Sequence, residues 1–266
     1  MSDLIIFWHR RDLRISDNVG LSAATEKTDK VVGLFCLDPT ILDGDDIAPA
    51  RVTYMIGCLQ ELEQSYQQLG SQLIIVKGEP SQIIPQLAEA LEAKAVFWNL
   101  DVEPYSQERD RNVKEALKAK GIDTSNYWDQ LLHAPGEILT KSSDSPYKVY
   151  TPFWRSWNQR DKANPTPEIK QLSGLSKAEI KTAQKKGAID LPSAKDLGYE
   201  WEYPLLLSPG ETAAQEKLEE FGDRDIFFLF QKPIFALFAT STLDFDYFYL
   251  LKPSHNLPEI KILGYL

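Results

Sequence analysis

The sequence predicts an α/β fold with a five-stranded, doubly wound parallel sheet, and three observations lead to that prediction. Short apolar runs alternate with helical patterns over the first 125 residues. Each apolar run ends abruptly in polar or charged residues, as strands buried on both faces do. Hydrophobic residues make up 43% of the 266-residue chain, enough to build a core. Strand–helix alternation of this kind forms right-handed crossovers and hence a parallel sheet.

The individual elements follow from local signals along the chain. The predicted strands cover residues 5–8, 31–37, 73–76 and 95–98, and a short fifth strand starts within 121–124. Asp17 is the expected N-cap of the first helix, and Pro49 opens a long helix that ends at Gly70. Apolar residues recur along this long helix every three or four positions, which predicts a single buried stripe. Further helices are predicted after residues 79–80 and over 104–120.

Charged residues collect at the ends of three predicted strands. In a doubly wound, Rossmann-like sheet the fourth strand lies beside the first, so their loops face each other across the crevice that binds ligands. Cations follow the first strand, and carboxylates follow the second and fourth. The residues are His9, Arg10, Arg11, Asp38, Asp101 and Glu103. Two simpler interpretations stay open: arginines that only solvate a loop, and ion pairs that only close the end of the sheet.

Composition excludes several classes of protein. A net charge of −10 and a pI of about 4.9 argue against a chain-wide nucleic-acid surface. Neither GxGxxG nor GxxxxGK[ST] follows a strand, so a dinucleotide fingerprint and a P-loop are both absent from the sequence. Cys36 and Cys58 fit apolar positions of a core and have no metal-ligand spacing. With neither a secretion signal nor a membrane segment in evidence, the sequence predicts a cytoplasmic protein without a metal site.

The chain divides into four parts by amino-acid composition. We expect the α/β domain over residues 1–130, a connector over 131–208 and the start of a helical domain over 209–225. The connector opens with a dense run of aromatic residues and proline up to residue 157, and then takes on the looser composition of an interdomain linker.

Residues 226–266 differ from everything before them. This tail contains ten aromatic residues, against nineteen in the first 225, and it has neither a helical nor a strand period. Polar and charged residues interrupt it too often for a transmembrane helix. We expect an atypical tail here, and out-of-frame translation would account for it.

Six stretches of the sequence resemble the photolyase/cryptochrome family, in the family's order. They are FWHRRDLRISDN at 7–18, LFCLDPTIL at 34–42, PARVTYMIGCLQEL at 49–62, WNLDVEPYSQERD at 98–110, PYKVYTPFWRSW at 146–157 and PGETAAQEKLEEF at 209–221. The resemblance covers residues 1–225 and is strongest to the N-terminal part of DNA photolyases of the deazaflavin type.

The resemblance implies an antenna domain that binds a light-harvesting chromophore. In the family, this chromophore passes excitation to FAD, and reduced FAD repairs a cyclobutane pyrimidine dimer flipped out of DNA. An 8-hydroxy-5-deazariboflavin-type antenna is implied here, with a folate as the alternative. The residues at the matching positions are His9, Arg11, Cys36, Leu37, Asp38, Arg51, Met55, Asp101 and Glu103. Carboxylates suit the hydroxyl groups of a ribityl chain, and an arginine suits an anionic ring.

The sequence departs from the family after residue 225. The motifs expected of the FAD-binding half do not follow, so no FAD, DNA-contacting or catalytic residue is assigned. We therefore expect a truncated deoxyribodipyrimidine photolyase that keeps only antenna binding, is inactive alone and does not bind damaged DNA, unless a separate FAD domain complements it. The alternatives are a stand-alone chromophore- or nucleotide-binding module, a cryptochrome-like photoreceptor fragment, and an unrelated nucleotide-binding protein of the universal-stress or electron-transfer-flavoprotein type.

Overall fold

A single sheet with helices on both faces organises the chain. The computed structural model describes residues 3–44, 47–141 and 143–223. The predictions made for the tail, including its origin in another reading frame, lie outside the described residues.

The sheet has six strands in the order β5-β4-β1-β2-β3-β6. The strands are β1 (Ile5–His9), β2 (Val31–Leu37), β3 (Leu73–Lys77), β4 (Ala95–Asn99), β5 (Asp123–Tyr127) and β6 (Ala188–Ile189). The first five pair in parallel, and β6 pairs antiparallel with β3. The prediction that β4 lies beside β1 is confirmed, and the prediction of five strands misses β6.

Eight helices surround or follow the sheet in the described part of the chain. They are α1 (Val19–Thr25), α2 (Pro39–Leu42), α3 (Pro49–Gln68), α4 (Pro80–Ala90), α5 (Pro104–Ala119), α6 (Tyr150–Asn158), α7 (Lys177–Lys185) and α8 (Glu211–Asp223). Four of them begin with proline at the first position, where its missing N–H costs nothing and its fixed φ suits a helix. The predicted helix starts at Pro49 and Pro104 are confirmed.

Two separate apolar cores cover the two faces of the sheet. Helices α4, α5 and α7 pack over one face, around Trp8 and Trp98. Helices α1 and α3 pack over the other, around Phe7 and Phe97. Successive strand residues point to opposite faces, and for this reason neighbours such as Phe7 and Trp8 belong to different cores. Both cysteines are buried, as the sequence predicts.

Two local predictions need correction. The N-cap of α1 is Asn18, whose side chain accepts a hydrogen bond from the Leu21 N–H at 3.1 Å. Asp17, the predicted cap, takes a positive φ of 47° and instead accepts a hydrogen bond from the Thr166 N–H at 2.8 Å. The connector is also more regular than its composition suggests, because Ser176 and Glu179 form a capping box that starts α7.

None of the helices within 3–44, 47–141 and 143–223 has the length and hydropathy needed to cross a membrane.

Candidate functional site

The loops after β1 and β4 meet at the carboxyl edge of the sheet, and three charged side chains join them there. Arg11 Nε lies 3.4 Å from Asp101 Oδ2, and Arg11 Nη2 lies 3.9 Å from Glu103 Oε1. Asp101 is buried, whereas the Arg11 and Glu103 side chains are 33% and 49% exposed. Both distances exceed that of a good charge-assisted hydrogen bond, so these ion pairs are loose and their outer members face solvent.

Asp101 is fixed in place by the start of α5. Its carboxylate accepts hydrogen bonds from the Glu103 N–H and the Ser106 hydroxyl, both at 3.1 Å. Pro104 occupies the first turn of the helix, so the Glu103 N–H lies just outside the helical ladder and is free for this contact. The carboxylate therefore has a defined orientation before any ligand arrives.

His9 lies beneath the crevice rather than in it. Its side chain is fully buried, with Nδ1 2.9 Å from the Asp12 carbonyl oxygen and Nε2 2.8 Å from the Tyr66 hydroxyl. Burial lowers the pKa of His9 below its ordinary value. Since both ring nitrogens have protein partners, His9 joins the β1 loop to α3 and leaves no polar atom for a ligand.

A buried amide network locks the same loop to β4 and α1. Asn99 Nδ2 donates to Asp12 Oδ2 at 2.6 Å and to Asn18 Oδ1 at 2.9 Å, while Asn99 Oδ1 accepts from the Gly20 N–H at 3.0 Å. A Cβ on Gly20 would lie 2.5 Å from Asn99 Oδ1, which explains why glycine stands there. The Asn99 amide thus makes three hydrogen bonds inside the protein, and they hold the loop in place.

Two further arginines converge on one buried carboxylate. Arg10 Nη1 lies 2.5 Å from Asp110 Oδ2, and Arg109 Nη2 lies 3.3 Å from Asp110 Oδ1. Both guanidinium groups also lie over the Trp8 ring, at 5.1 and 4.9 Å from its centroid. Burial and the neighbouring Arg10 lower the pKa of Arg109. The interpretation of Arg10 as a solvated loop residue is wrong, because its side chain is only 7% exposed.

The last two residues of β2 point to opposite faces of the sheet, and Asp38 follows them. Cys36 is buried on the α4–α5 face, where burial raises its pKa to about 12 and its thiol donates to the Gly78 carbonyl at 3.3 Å. Leu37 is buried on the α1–α3 face. Asp38 accepts hydrogen bonds from the Thr40 N–H at 3.0 Å and from the Tyr105 hydroxyl at 2.6 Å.

The last two predicted site residues lie in the first two turns of α3. Arg51 is exposed and forms no ion pair or hydrogen bond through its side chain with any other residue that the structure describes. Met55 is half-buried and packs against the α1–α3 core. Since α3 follows β2 and leads back into β3, its first turns lie at the same edge of the sheet as Asp38.

Two cavities lie outside the set of predicted site residues. One, of about 210 Å³, lies at the amino edge of the sheet next to Lys27 and Lys94. The other, of about 240 Å³, lies next to Val19 and Trp128. Neither cavity is lined by any of the nine predicted site residues.

Sequence reasoning missed several of the polar residues that build this edge. Arg109 and Asp110 fall on the buried stripe of α5 together with Val113 and Leu117. Charged residues on an apolar helix stripe indicate buried charges, which require ion-pair partners. The sequence therefore did contain a signal for this cluster. Tyr66 gave no such signal, because it reads as an ordinary core residue of α3.

Comparison with known proteins assigns the chain to a protein family. A family model described as DNA photolyase matches residues 5–171. The chain belongs to the DNA photolyase family. The chain contains the N-terminal domain of the photolyase/cryptochrome family.

The most similar relatives include short and long chains. The deoxyribodipyrimidine photo-lyase of Synechococcus sp. strain PCC 6301 is 50% identical over 226 residues, which are 85% of this chain and 46% of the relative. The "Uncharacterized 31.6 kDa protein in atpI 5'region" of Synechococcus sp. strain PCC 6716 is 48% identical over 84% of this chain and 76% of its own length.

Solved structures agree with the fold. A bacterial class III photolyase from Agrobacterium tumefaciens superposes with a TM-score of 0.70 at 27% identity, covering 84% of this chain and 45% of that chain. This chain thus spans about half the length of the photolyases that it matches.

Proposed function

We propose that this DNA photolyase N-terminal domain binds a light-harvesting chromophore at the carboxyl edge of its sheet. The observation that carries the proposal is the loose pairing of Arg11 with Asp101 and Glu103 across the ligand-binding crevice of a doubly wound sheet. Loosely paired, partly exposed charges can exchange partners with a ligand at little cost, whereas the tight pairs beneath them cannot.

The donor set suits a flat ring that carries a hydroxylated chain. The carboxylates of Asp101 and Glu103 accept hydrogen bonds from hydroxyl groups, and Arg11 donates them. Met55 offers a polarizable apolar surface for a ring, and Arg51 has a guanidinium free of other described residues for an anionic ring oxygen. Asp38, which accepts a hydrogen bond from Tyr105, is the third carboxylate at this rim of the crevice, beside Asp101 and Glu103.

Three residues of the predicted set take a supporting position in this proposal. His9, Cys36 and Leu37 are all buried, and the polar atoms of the first two already have protein partners. In this proposal they hold the floor of the crevice in shape, and the other six residues of the set contact the ligand.

The chemistry of the rim favours an 8-hydroxy-5-deazariboflavin-type antenna over a folate. A ribityl chain brings hydroxyl donors to the two carboxylates, whereas the glutamyl tail of a folate would bring further negative charge to a rim that already holds three carboxylates. When bound, the antenna absorbs visible light and passes its excitation on to a flavin.

No catalytic step is assigned to the described residues. In this proposal, FAD and damaged DNA bind to a separate helical half, which the unmatched part of the longer relatives is long enough to form. The domain described here absorbs light and passes the excitation to that half. Repair of cyclobutane pyrimidine dimers would then require both the domain described here and the helical half.

The proposal is tested by reconstitution with chosen chromophores. The full chain is incubated in turn with 8-hydroxy-5-deazariboflavin, riboflavin and a monoglutamyl folate, then separated from free ligand by gel filtration. We expect the deazaflavin to be retained in near 1:1 amount, as measured by absorption, and the folate to be lost. Retention of none of the three would contradict antenna binding, and retention of the folate alone would contradict the assignment of its class.

A further inference from the structure

Two buried tryptophans lie in contact on the α4–α5 face of the sheet. Trp8 in β1 is 1% exposed, and Trp98 in β4 is fully buried. Their ring centroids are 5.9 Å apart, with an angle of 61° between the ring planes. Indoles are electron-rich rings, and an excited chromophore of the flavin type readily takes an electron from a nearby indole. A tryptophan close to a light-harvesting chromophore therefore threatens its excited state.

A guanidinium group links Trp8 to the rim of the crevice. Arg109 Cζ lies 4.9 Å from the centroid of the Trp8 ring and 5.6 Å from that of the Tyr105 ring. Tyr105 is 38% exposed, and its hydroxyl donates at 2.6 Å to Asp38, one of the proposed chromophore contacts. Trp8 is thus close enough to the proposed chromophore to exchange an electron with it.

A second guanidinium lies over the same indole. Arg10 Cζ is 5.1 Å from the centroid of the Trp8 ring. Arg10 and Arg109 share the carboxylate of Asp110, at 2.5 and 3.3 Å. Guanidinium groups keep their charge in proteins, so two of them against one carboxylate leave a net positive charge beside Trp8. Asp38 also attracts Arg109, but it forms no ion pair with either guanidinium.

This charge makes the Trp8 ring harder to oxidise. A cation over the face of a neutral indole is attracted by the ring. Loss of an electron from the ring turns that attraction into repulsion. The side chains of Arg10 and Arg109 are only 7% and 9% exposed, so little water screens the repulsion.

We propose that Arg10 and Arg109 protect an excited antenna chromophore from quenching by Trp8. In the quenching step, the excited chromophore would take one electron from the Trp8 ring, giving a one-electron-reduced chromophore and an indole radical cation. Return of that electron would restore both ground states and release the excitation as heat. With the two cations in place, the chromophore keeps its excitation long enough to pass it on. This protective role rests on the antenna function proposed above.

The experiment measures the fluorescence lifetime of 8-hydroxy-5-deazariboflavin bound to the full chain. Arg109→Gln removes one charge from the face of Trp8 and should shorten the lifetime at least about twofold. Arg109→Lys keeps the charge and should restore most of the lifetime. The matched control is Lys162→Gln, which removes a cation 4.1 Å from the centroid of Trp157 in the connector and should leave the lifetime unchanged.

A second substitution shows whether Trp8 is the electron donor. In Arg109→Gln/Trp8→Phe the ring beside the lost cation is a phenyl group, which is much harder to oxidise than an indole. The lifetime should therefore return to that of the original chain, and a merely structural role of Arg109 would leave it short. Transient absorption should detect an indole radical in Arg109→Gln and none in the double variant.

Folding of each variant is checked by circular dichroism, and Arg10→Gln, which removes the other cation over Trp8, replaces Arg109→Gln if that variant misfolds. A lifetime that stays unchanged in the folded variant would overturn the protective role. So would a shortened lifetime that Trp8→Phe does not restore. Failure of the chain to retain the deazaflavin would overturn the antenna proposal and this role together, whereas normal retention with an unchanged lifetime would overturn this role alone.

Discussion

Arg10 and Asp110 stand 100 positions apart in the sequence, yet Arg10 Nη1 lies 2.5 Å from both carboxylate oxygens of Asp110. The contact ties the loop after β1 to the second turn of α5. Trp98 Nε1 donates to the same carboxylate at 3.2 Å, and Arg109 approaches it from its other side. One buried carboxylate is thus shared by two buried guanidinium groups.

Replacing Asp110 with alanine should destabilise the domain strongly. The substitution leaves Arg10 and Arg109 as buried cations that lack their shared partner, a situation that costs about 3–5 kcal/mol. The free energy of unfolding, measured by urea denaturation followed by circular dichroism, should fall by that amount.

A surface ion pair supplies the matched control for this prediction. Lys120 Nζ lies 2.6 Å from Glu89 Oε2, and the Glu89 side chain is 58% exposed. Glu89→Ala should cost less than about 1 kcal/mol. Equal effects of Asp110→Ala and Glu89→Ala would show that the buried cluster does not stabilise the fold as described.

The domain should lose stability as the pH falls below 6.5. Burial lowers the pKa of His9 from its ordinary value of 6.5. Just below pH 6.5, His9 is therefore protonated in the unfolded chain but still neutral in the folded chain. Stability from this group is therefore complete above pH 6.5 and declines below it, by at most about 1.4 kcal/mol per pH unit. His133, whose pKa is also lowered by burial and by Lys162, adds a change of the same sign.

The variant His9→Gln separates the two histidines. Glutamine keeps a donor and an acceptor but does not titrate, so the free energy of unfolding should depend less steeply on pH between 7 and 5. His133→Gln should retain the His9 part of the slope. If His9→Gln showed the full slope of the original chain, the buried and neutral state assigned to His9 would be wrong.

Neither cysteine should react with thiol reagents in the folded protein. With a pKa of about 12, roughly one Cys36 thiol in ten thousand is ionised at pH 8, and burial also raises the pKa of Cys58. Titration with Ellman's reagent should find no fast-reacting thiol in the native chain and two after denaturation. A fast-reacting thiol in the native state would mean that at least one of the two buried cysteines is readily exposed to solvent.

The fold and the crevice were predictable from sequence because their signals are local or follow from topology. Apolar runs locate β1 to β4, and the switch-point rule for doubly wound sheets places Arg11 opposite Asp101 and Glu103. The strand β6 has two residues and no period, so no sequence pattern could reveal it.

The burial of His9 could not be predicted for a different reason. Its partner Tyr66 lies 57 positions away on α3, and only the packing of α3 against β1 brings the two together. The position of residues 200–208 likewise depends on tertiary contacts of Tyr199 and Pro209. Both features depend on long-range packing, which periodicity and composition do not encode.

The most direct test of the account is the affinity of 8-hydroxy-5-deazariboflavin for the chain and for Asp101→Asn/Glu103→Gln. The double variant keeps the size of both side chains and removes two negative charges from the mouth of the crevice. Fluorescence titration should show saturable 1:1 binding to the original chain and at least about tenfold weaker binding to the variant, at equal free energy of unfolding. Equal affinities for the two proteins, or no binding to either, would contradict a chromophore site at this edge of the sheet.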